Sequence, residues 1–115
     1  LKGIEAYMSA TEVDPQYYYA YYNAGASLIA IANTINDRKN NLDYEEAKKV
    51  GAEMDKQIDE YYTKAVDMFK ACVLIQPDSI EAYEALRQIY FQLGDLDGSS
   101  EMKDKVAELK AKGSN

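Results

Sequence analysis

The chain repeats itself around its only two prolines, Pro15 and Pro77. Six residues after each proline stands a tyrosine, Tyr21 and Tyr83. Three further on come Ala24 and Leu86, and thirteen after each proline come Leu28 and Tyr90. The preceding residues repeat as well. Ala65, Phe69 and Cys72 stand before Pro77 at the offsets at which Gly3, Tyr7 and Ala10 stand before Pro15. Apolar positions within each copy recur at steps of three and four, the spacing of one helix face, and no strand alternation competes. A helical unit repeated about a fixed proline restricts the chain to stacked helices. Each unit leaves an apolar face that only a neighbouring unit can cover.

Composition narrows the chemistry. At 115 residues the chain is one domain at most, with enough length to bury a core. It has no His, so imidazole catalysis, imidazole metal sites and an imidazole pH switch are excluded. A single Cys forms neither an internal disulfide nor a Cys-rich zinc site. Lys and Arg number 13 against 20 Asp and Glu, a net charge of −7, which argues against a phosphate-backbone binder. No nucleic-acid partner and no cofactor are expected. The best apolar run, Ala24 to Ala32, is far short of the roughly 20 residues a bilayer-spanning helix needs. The composition leaves the compartment open. Eleven tyrosines without a tryptophan are the unusual feature.

The pattern predicts an all-α chain of about five helices. The first spans about Lys2 to Glu12, and the second about Gln16 to Asn33 or slightly beyond. The polar run Asn36-Asp37-Arg38-Lys39-Asn40-Asn41 follows. Asp43 with Glu46 reads as a capping box that starts a third helix near Tyr44. Its stripe of Ala47, Gly51, Met54, Ile58, Tyr61, Ala65, Phe69 and Cys72 continues to Pro77, with Gly51 the weakest point. Asp78 with Glu81 reads as a second capping box for a fourth helix running to about Leu93. The fifth runs from about Asp97 or Gly98 to Lys112-Gly113.

These residues resemble the tetratricopeptide repeat, a helix–turn–helix unit of about 34 residues. Tyr21, Ala24, Gly25 and Leu28 match the aromatic, apolar, glycine and large apolar places of the family's first helix. Ala65, Phe69, Cys72 and Pro77 match the places of its second. Gly25 and Ala65 would let helix backbones approach closely, with Tyr21 and Phe69 filling the space between helices. Arg87 departs from the pattern, standing where glycine is usual. Ser99, Lys103 and Val106 replace the small–aromatic–small signature of the last helix. The resemblance implies a right-handed solenoid of helical hairpins in a single domain over residues 1–115. Residues 1–15 would be the second helix of a truncated repeat, 16–77 a full repeat, and 78–112 a last repeat with its C-terminal cap helix. The chain, which opens with Leu1 inside an amphipathic pattern, reads as the C-terminal fragment of a longer repeat protein.

The full repeat is too long by about 28 residues, roughly Thr34 to Glu60, when its small second-helix residue is placed at Ala65. The sequence reading extends the second helix of that repeat back towards Tyr44, to about 45–50 Å. A partner helix ending near Ile35 would not cover it. The overhang then either projects or breaks near Gly51 and folds back. Tyr44, Ala47, Val50, Met54 and Ile58 give this arm an apolar stripe that needs cover.

The family's binding surface is lined by the first helix of each pair. In this register it presents Tyr19, Tyr22, Asn23, Ala26 and Ile29 from one repeat, and Glu81, Glu84, Gln88 and Phe91 from the next. The resemblance therefore implies a non-catalytic module that binds a peptide or helix of a partner protein. The Lys–Asn–Arg cluster with which one branch of the family grips acidic tails is missing, since Glu81 and Ala85 stand at its places. The Glu81–Glu84 pair favours a neutral or basic segment. Homodimerisation through the 44–60 arm, or a small molecule or glycan stacked on Tyr19 and Tyr22, are the alternatives. Glu45-Glu46 and Asp95/Asp97 read as solvated charges or caps, Asp95-Leu96-Asp97-Gly98 as a turn rather than a calcium loop, and Cys72 as buried and inert. No catalytic or metal-ligating residue is assigned.

Overall fold

Alanine and glycine dominate the buried side of the first described helix, and this sets how closely its neighbour packs. The structure, a computed structural model, describes residues 17–113. Four helices follow one another: α1 (Tyr18–Asn40), α2 (Tyr44–Ile75), α3 (Ile80–Gln92) and α4 (Leu96–Gly113). There is no strand among the described residues. The first expected helix, over Lys2 to Glu12, and the copy of the repeat before Pro15 lie outside them.

Helices α1 and α2 form an antiparallel hairpin. Tyr18, Leu28 and Ala32 of α1 are buried in one cluster with Ile58, Tyr62, Ala65, Val66, Phe69 and Cys72 of α2, and Gly25 lies against the Phe69 ring. At Gly25 the Phe69 ring packs directly on the α1 backbone. A Cβ placed there would lie 2.6 Å from Cε2 of Phe69, which is itself 1% exposed. The expectation for Gly25 was close approach of two helix backbones; what fills the space is the Phe69 ring. Further pairs run in reverse order along the hairpin: the Cys72 thiol donates to the Tyr18 carbonyl at 3.7 Å, the Tyr62 hydroxyl donates to Asn33 Oδ1 at 2.6 Å, and Lys39 pairs with Asp55.

Two expectations about this hairpin need correction. Helix α1 runs on to Asn40, through most of the polar run expected to interrupt it. Ile35 packs on the core, Arg38 and Lys39 face the negative end of the helix dipole, and the Lys39–Asp55 pair ties the extension to α2. The Thr34 hydroxyl donates to the Ala30 carbonyl (2.9 Å), an arrangement compatible with a continuing helix. Helix α2 is continuous over 32 residues, about 48 Å. It neither overhangs alone nor breaks at Gly51, because the lengthened α1 runs beside it. The supposed insertion is thus an extension of both helices of one hairpin, joined by a three-residue link. Ile58 of the arm is buried and Met54 half-buried, while Tyr44 and Val50 stay exposed.

The caps explain where the other helices begin and end. Asp43 accepts from the Glu46 N–H at 2.8 Å, as its box predicts. At the next start the cap is Ser79, not Asp78. The Ser79 hydroxyl accepts from the Ala82 N–H at 3.3 Å, and α3 begins at Ile80. Ser79 wins this place because it is buried and holds a second partner, the Tyr18 hydroxyl at 2.6 Å. Helix α3 closes on Gly94, whose φ of 81° suits glycine. The Gly94 N–H donates to Phe91 O and the Asp95 N–H to Tyr90 O, a Schellman closure. Asp95 then caps α4 by accepting from the Gly98 N–H at 2.8 Å, which gives the Asp95-Leu96-Asp97-Gly98 run a structural role. Helix α4 folds back along α3. Ser99 Oγ donates to Arg87 O (3.0 Å) near its start, and Lys105 lies over the Tyr83 ring further along. Val106 of α4 is buried and Lys103 exposed. No helix among the described residues is long and apolar enough to cross a membrane.

Candidate functional site

The link between Tyr18 and Ser79 sets two helices side by side. Both residues stand at the start of their helices, so α1 and α3 run in the same direction. The alignment holds further along. Tyr22 shares a pocket with Glu81, and one turn-pair later Ile29 and Asn33 share a cleft with Gln88, Phe91 and Gln92. The two helices thus form the walls of a shallow groove, with Tyr62 of α2 in its floor.

The N-terminal pocket of the groove is aromatic. It measures about 310 Å³ and is lined by Tyr18, Tyr19, Tyr22, Gln76 and Glu81. The Tyr18 ring meets Tyr19 edge-on with centroids 5.2 Å apart and stacks on Tyr22 at 6.0 Å. Tyr22 in turn meets Phe69 edge-on at 5.3 Å, which fixes its ring from below. Burial pushes the Tyr18 phenol above its ordinary pKa, its bond to Ser79 opposes this, and the nearby Glu81 carboxylate adds to the rise. Glu81 is exposed, and among the described residues it makes no ion pair.

The second pocket is mixed. A cleft of about 340 Å³ is lined by Ile29, Asn33, Tyr62, Arg87, Gln88, Ile89, Phe91, Gln92 and Ser99. Because Asn33 accepts the Tyr62 proton at its carbonyl, its NH₂ remains to donate into the cleft. Burial raises the Tyr62 phenol pKa, so the hydroxyl stays a donor. Phe91 is 63% exposed at the rim. Among the described residues no carboxylate lines this cleft.

The expected groove residues divide into three sets. Tyr19, Tyr22 and Glu81 come together in the first pocket, and Ile29, Gln88 and Phe91 in the second. Asn23 and Ala26 are exposed on α1 but line neither. Glu84 does not form an acidic pair with Glu81. Its carboxylate holds Arg87 at 2.9 Å and Lys110 of α4 at 3.9 Å, so its charge is offset. The Arg87 side chain reaches this ion pair and the cleft wall. Its Nε is buried without a partner among the described residues.

Sequence reasoning missed Asn33 and Gln92, which lie one helical turn beyond Ile29 and Gln88. Continuing the stripe by four residues would have found both. It also missed Tyr18, whose partner lies 61 positions away, and Tyr62, whose partner Asn33 lies 29 positions away. Cys72 is fully buried, as expected, and burial pushes its thiol up to about 12.

No protein-family model matches the chain, and the search of curated proteins finds no relative.

Proposed function

We propose that the chain is a non-catalytic protein-interaction module, a tetratricopeptide-like array that binds an extended segment of a partner protein along the α1–α3 groove. One observation carries this reading. Two helices running the same way bound a groove that presents an exposed aromatic at each end, Tyr19 (64% exposed) and Phe91 (63%), with the side-chain amides of Asn33, Gln88 and Gln92 between or beside them. Aromatic side chains offer large contact area at low entropic cost, and primary amides can pair with both the N–H and the C=O of a peptide backbone. A helix of the partner would bury the aromatics but leave those amides without backbone groups to bond. An extended segment uses both.

The test is selection of peptides from a random display library on the intact protein, followed by calorimetry with variants. Phe91→Ala and Gln88→Ala together should weaken the selected peptides about tenfold or more, in line with loss of one aromatic anchor and one hydrogen bond. Selected peptides that bind the double variant unchanged would refute the groove. Self-association through the 44–60 arm has less to rest on, since α1 runs along the arm and Tyr44 and Val50 remain as its exposed large apolar residues. Light scattering should give a monomer mass at all concentrations, unchanged by Val50→Lys.

A further inference from the structure

We infer that the pocket of Tyr18, Tyr19, Tyr22, Gln76 and Glu81 is a subsite for a cationic side chain, arginine or lysine, of the bound segment, three residues away from an apolar side chain seated at Ile29 and Phe91. The inference rests on the peptide-binding reading and adds its chemistry and register.

Charge and ring chemistry identify the ligand class. Three tyrosine rings converge on one open pocket of about 310 Å³, and Glu81 is its only carboxylate among the described residues. Aromatic faces attract cations through their quadrupole, and a carboxylate beside them adds a formal charge. Glu81 is free to supply that charge, because the other acidic residue of this helix face, Glu84, is held by Arg87 and Lys110. The pocket holds no cation of its own among the described residues. An anionic group would meet Glu81 and the π-faces. A purely apolar group would leave the Glu81 carboxylate and the Gln76 amide against hydrocarbon. Only a cation matches rings and carboxylate together. The chain's net charge of −7 draws the same partner over longer range.

Helix geometry sets the register. Tyr22 to Ile29 on α1 is seven residues, and so is Glu81 to Gln88 on α3. Two turns rise about 10.5 Å on each wall. A segment in the extended polyproline II form rises about 3.1 Å per residue with three residues per turn, so side chains three residues apart face the same way, about 9 Å from each other, and enter the two pockets. The first pocket takes the cation, and the second, with Ile29 and Phe91 and no carboxylate among the described residues, takes the apolar group.

Three synthetic peptides, blocked at both ends, test this on the full chain by two-dimensional NMR titration. The first is Gly-Arg-Ala-Ala-Leu-Gly. The second carries citrulline for arginine, keeping the shape and removing the charge. The third, Gly-Arg-Leu-Ala-Ala-Gly, keeps both side chains and breaks the spacing. The first should bind about fivefold or more tighter than either of the others. It alone should shift Tyr19 ring resonances together with Ile29 methyl resonances. Glu81→Gln should erase the arginine-over-citrulline preference and leave the weaker binding at Ile29 intact. Glu81→Lys should reverse it towards a glutamate-bearing analogue. Glu81 and Tyr19 are exposed, so these variants and Tyr19→Ala should melt as the parent does. Equal affinity for the arginine and citrulline peptides, with Ile29 and Gln88 still perturbed, would overturn the cation subsite and leave the groove standing. Absence of any groove perturbation by all three would overturn both. Nuclear Overhauser contacts between the Tyr19 ring and side chains of residues 1–16 in the free protein would show the pocket filled from within, which overturns the subsite alone.

Discussion

Gly25 matters for what it lacks. Phe69 takes the space a Cβ would occupy, with three ring atoms within 3.0 Å of that point. Those atoms belong to a ring that is 1% exposed and pressed edge-on by Tyr22, so it has nowhere to turn. Gly25→Ala should therefore destabilise the fold by about 1–3 kcal/mol despite its better helix propensity, read as a lower urea midpoint. The packing character of Gly25 and Phe69 was legible from the spacing about the prolines, but their contact with each other, across 44 positions of chain, was not. Nor was the Tyr18–Ser79 bond, since nothing in a string of tyrosines says which ring turns towards a serine 61 positions away. Cys72 gives a pH-dependent prediction. Its thiol stays protonated in the folded state up to about 12, while the unfolded chain releases the proton from about 9.0 upward. The unfolded state thus gains by ionising first. The Cys72 contribution is fully present below about 9.0 and is lost as pH rises towards about 12. Urea melts of the parent should fall more steeply across that window than melts of Cys72→Ala. Parallel slopes would show that the thiol is not protected.

At the scale of elements, α1 and α2 owe their length to each other. The sequence reading ended α1 too early because it weighed a polar run as a break. A helix whose outer face meets solvent can carry such a run when its inner face still has Ile35 and an ion-pair partner across the hairpin. Propensity is a weak prior of this kind, and tertiary packing overrides it. The start of α2 was legible because the Asp43–Glu46 box is purely local. The start of α3 was misplaced by one residue because Ser79 is chosen by a distant partner as well as by its cap. Gly51 offers the cleanest test of a continuous α2. No atom outside its local backbone lies within 4 Å of a Cβ built there. Gly51→Ala should raise stability by about 1 kcal/mol, the helix-propensity difference, without steric cost. A destabilised variant would place a bend or a close neighbour at Gly51 and contradict the straight hairpin. Asp43→Ala should cost about 1 kcal/mol through loss of the cap, seen as a lower melting temperature.

At the scale of the molecule, packing leaves one face with unused chemistry. Two hairpins stack through α2 and α3, and the stacking sets α1 and α3 side by side. Their shared face keeps exposed aromatics, side-chain amides and a carboxylate, Glu81, that makes no ion pair among the described residues, while the arm's apolar stripe runs from exposed Tyr44 and Val50 through half-buried Ala47 and Met54 to buried Ile58. The stripe of candidate residues was legible as far as helical periodicity carries it: Tyr19, Tyr22, Glu81, Gln88 and Phe91 came from register alone. Periodicity could not show that the Glu84 carboxylate is held by Arg87 and Lys110, because that requires knowing which way α4 folds back, nor that Asn23 and Ala26 stand outside the two pockets. The most direct measurement is backbone and side-chain NMR mapping of a library-selected peptide on the intact protein. The expected result is perturbation of one contiguous set that includes Tyr19, Ile29, Gln88 and Phe91, from one end of the groove to the other. Perturbations centred on Tyr44 and Val50 of the arm, or on the outer face of α4, would contradict it.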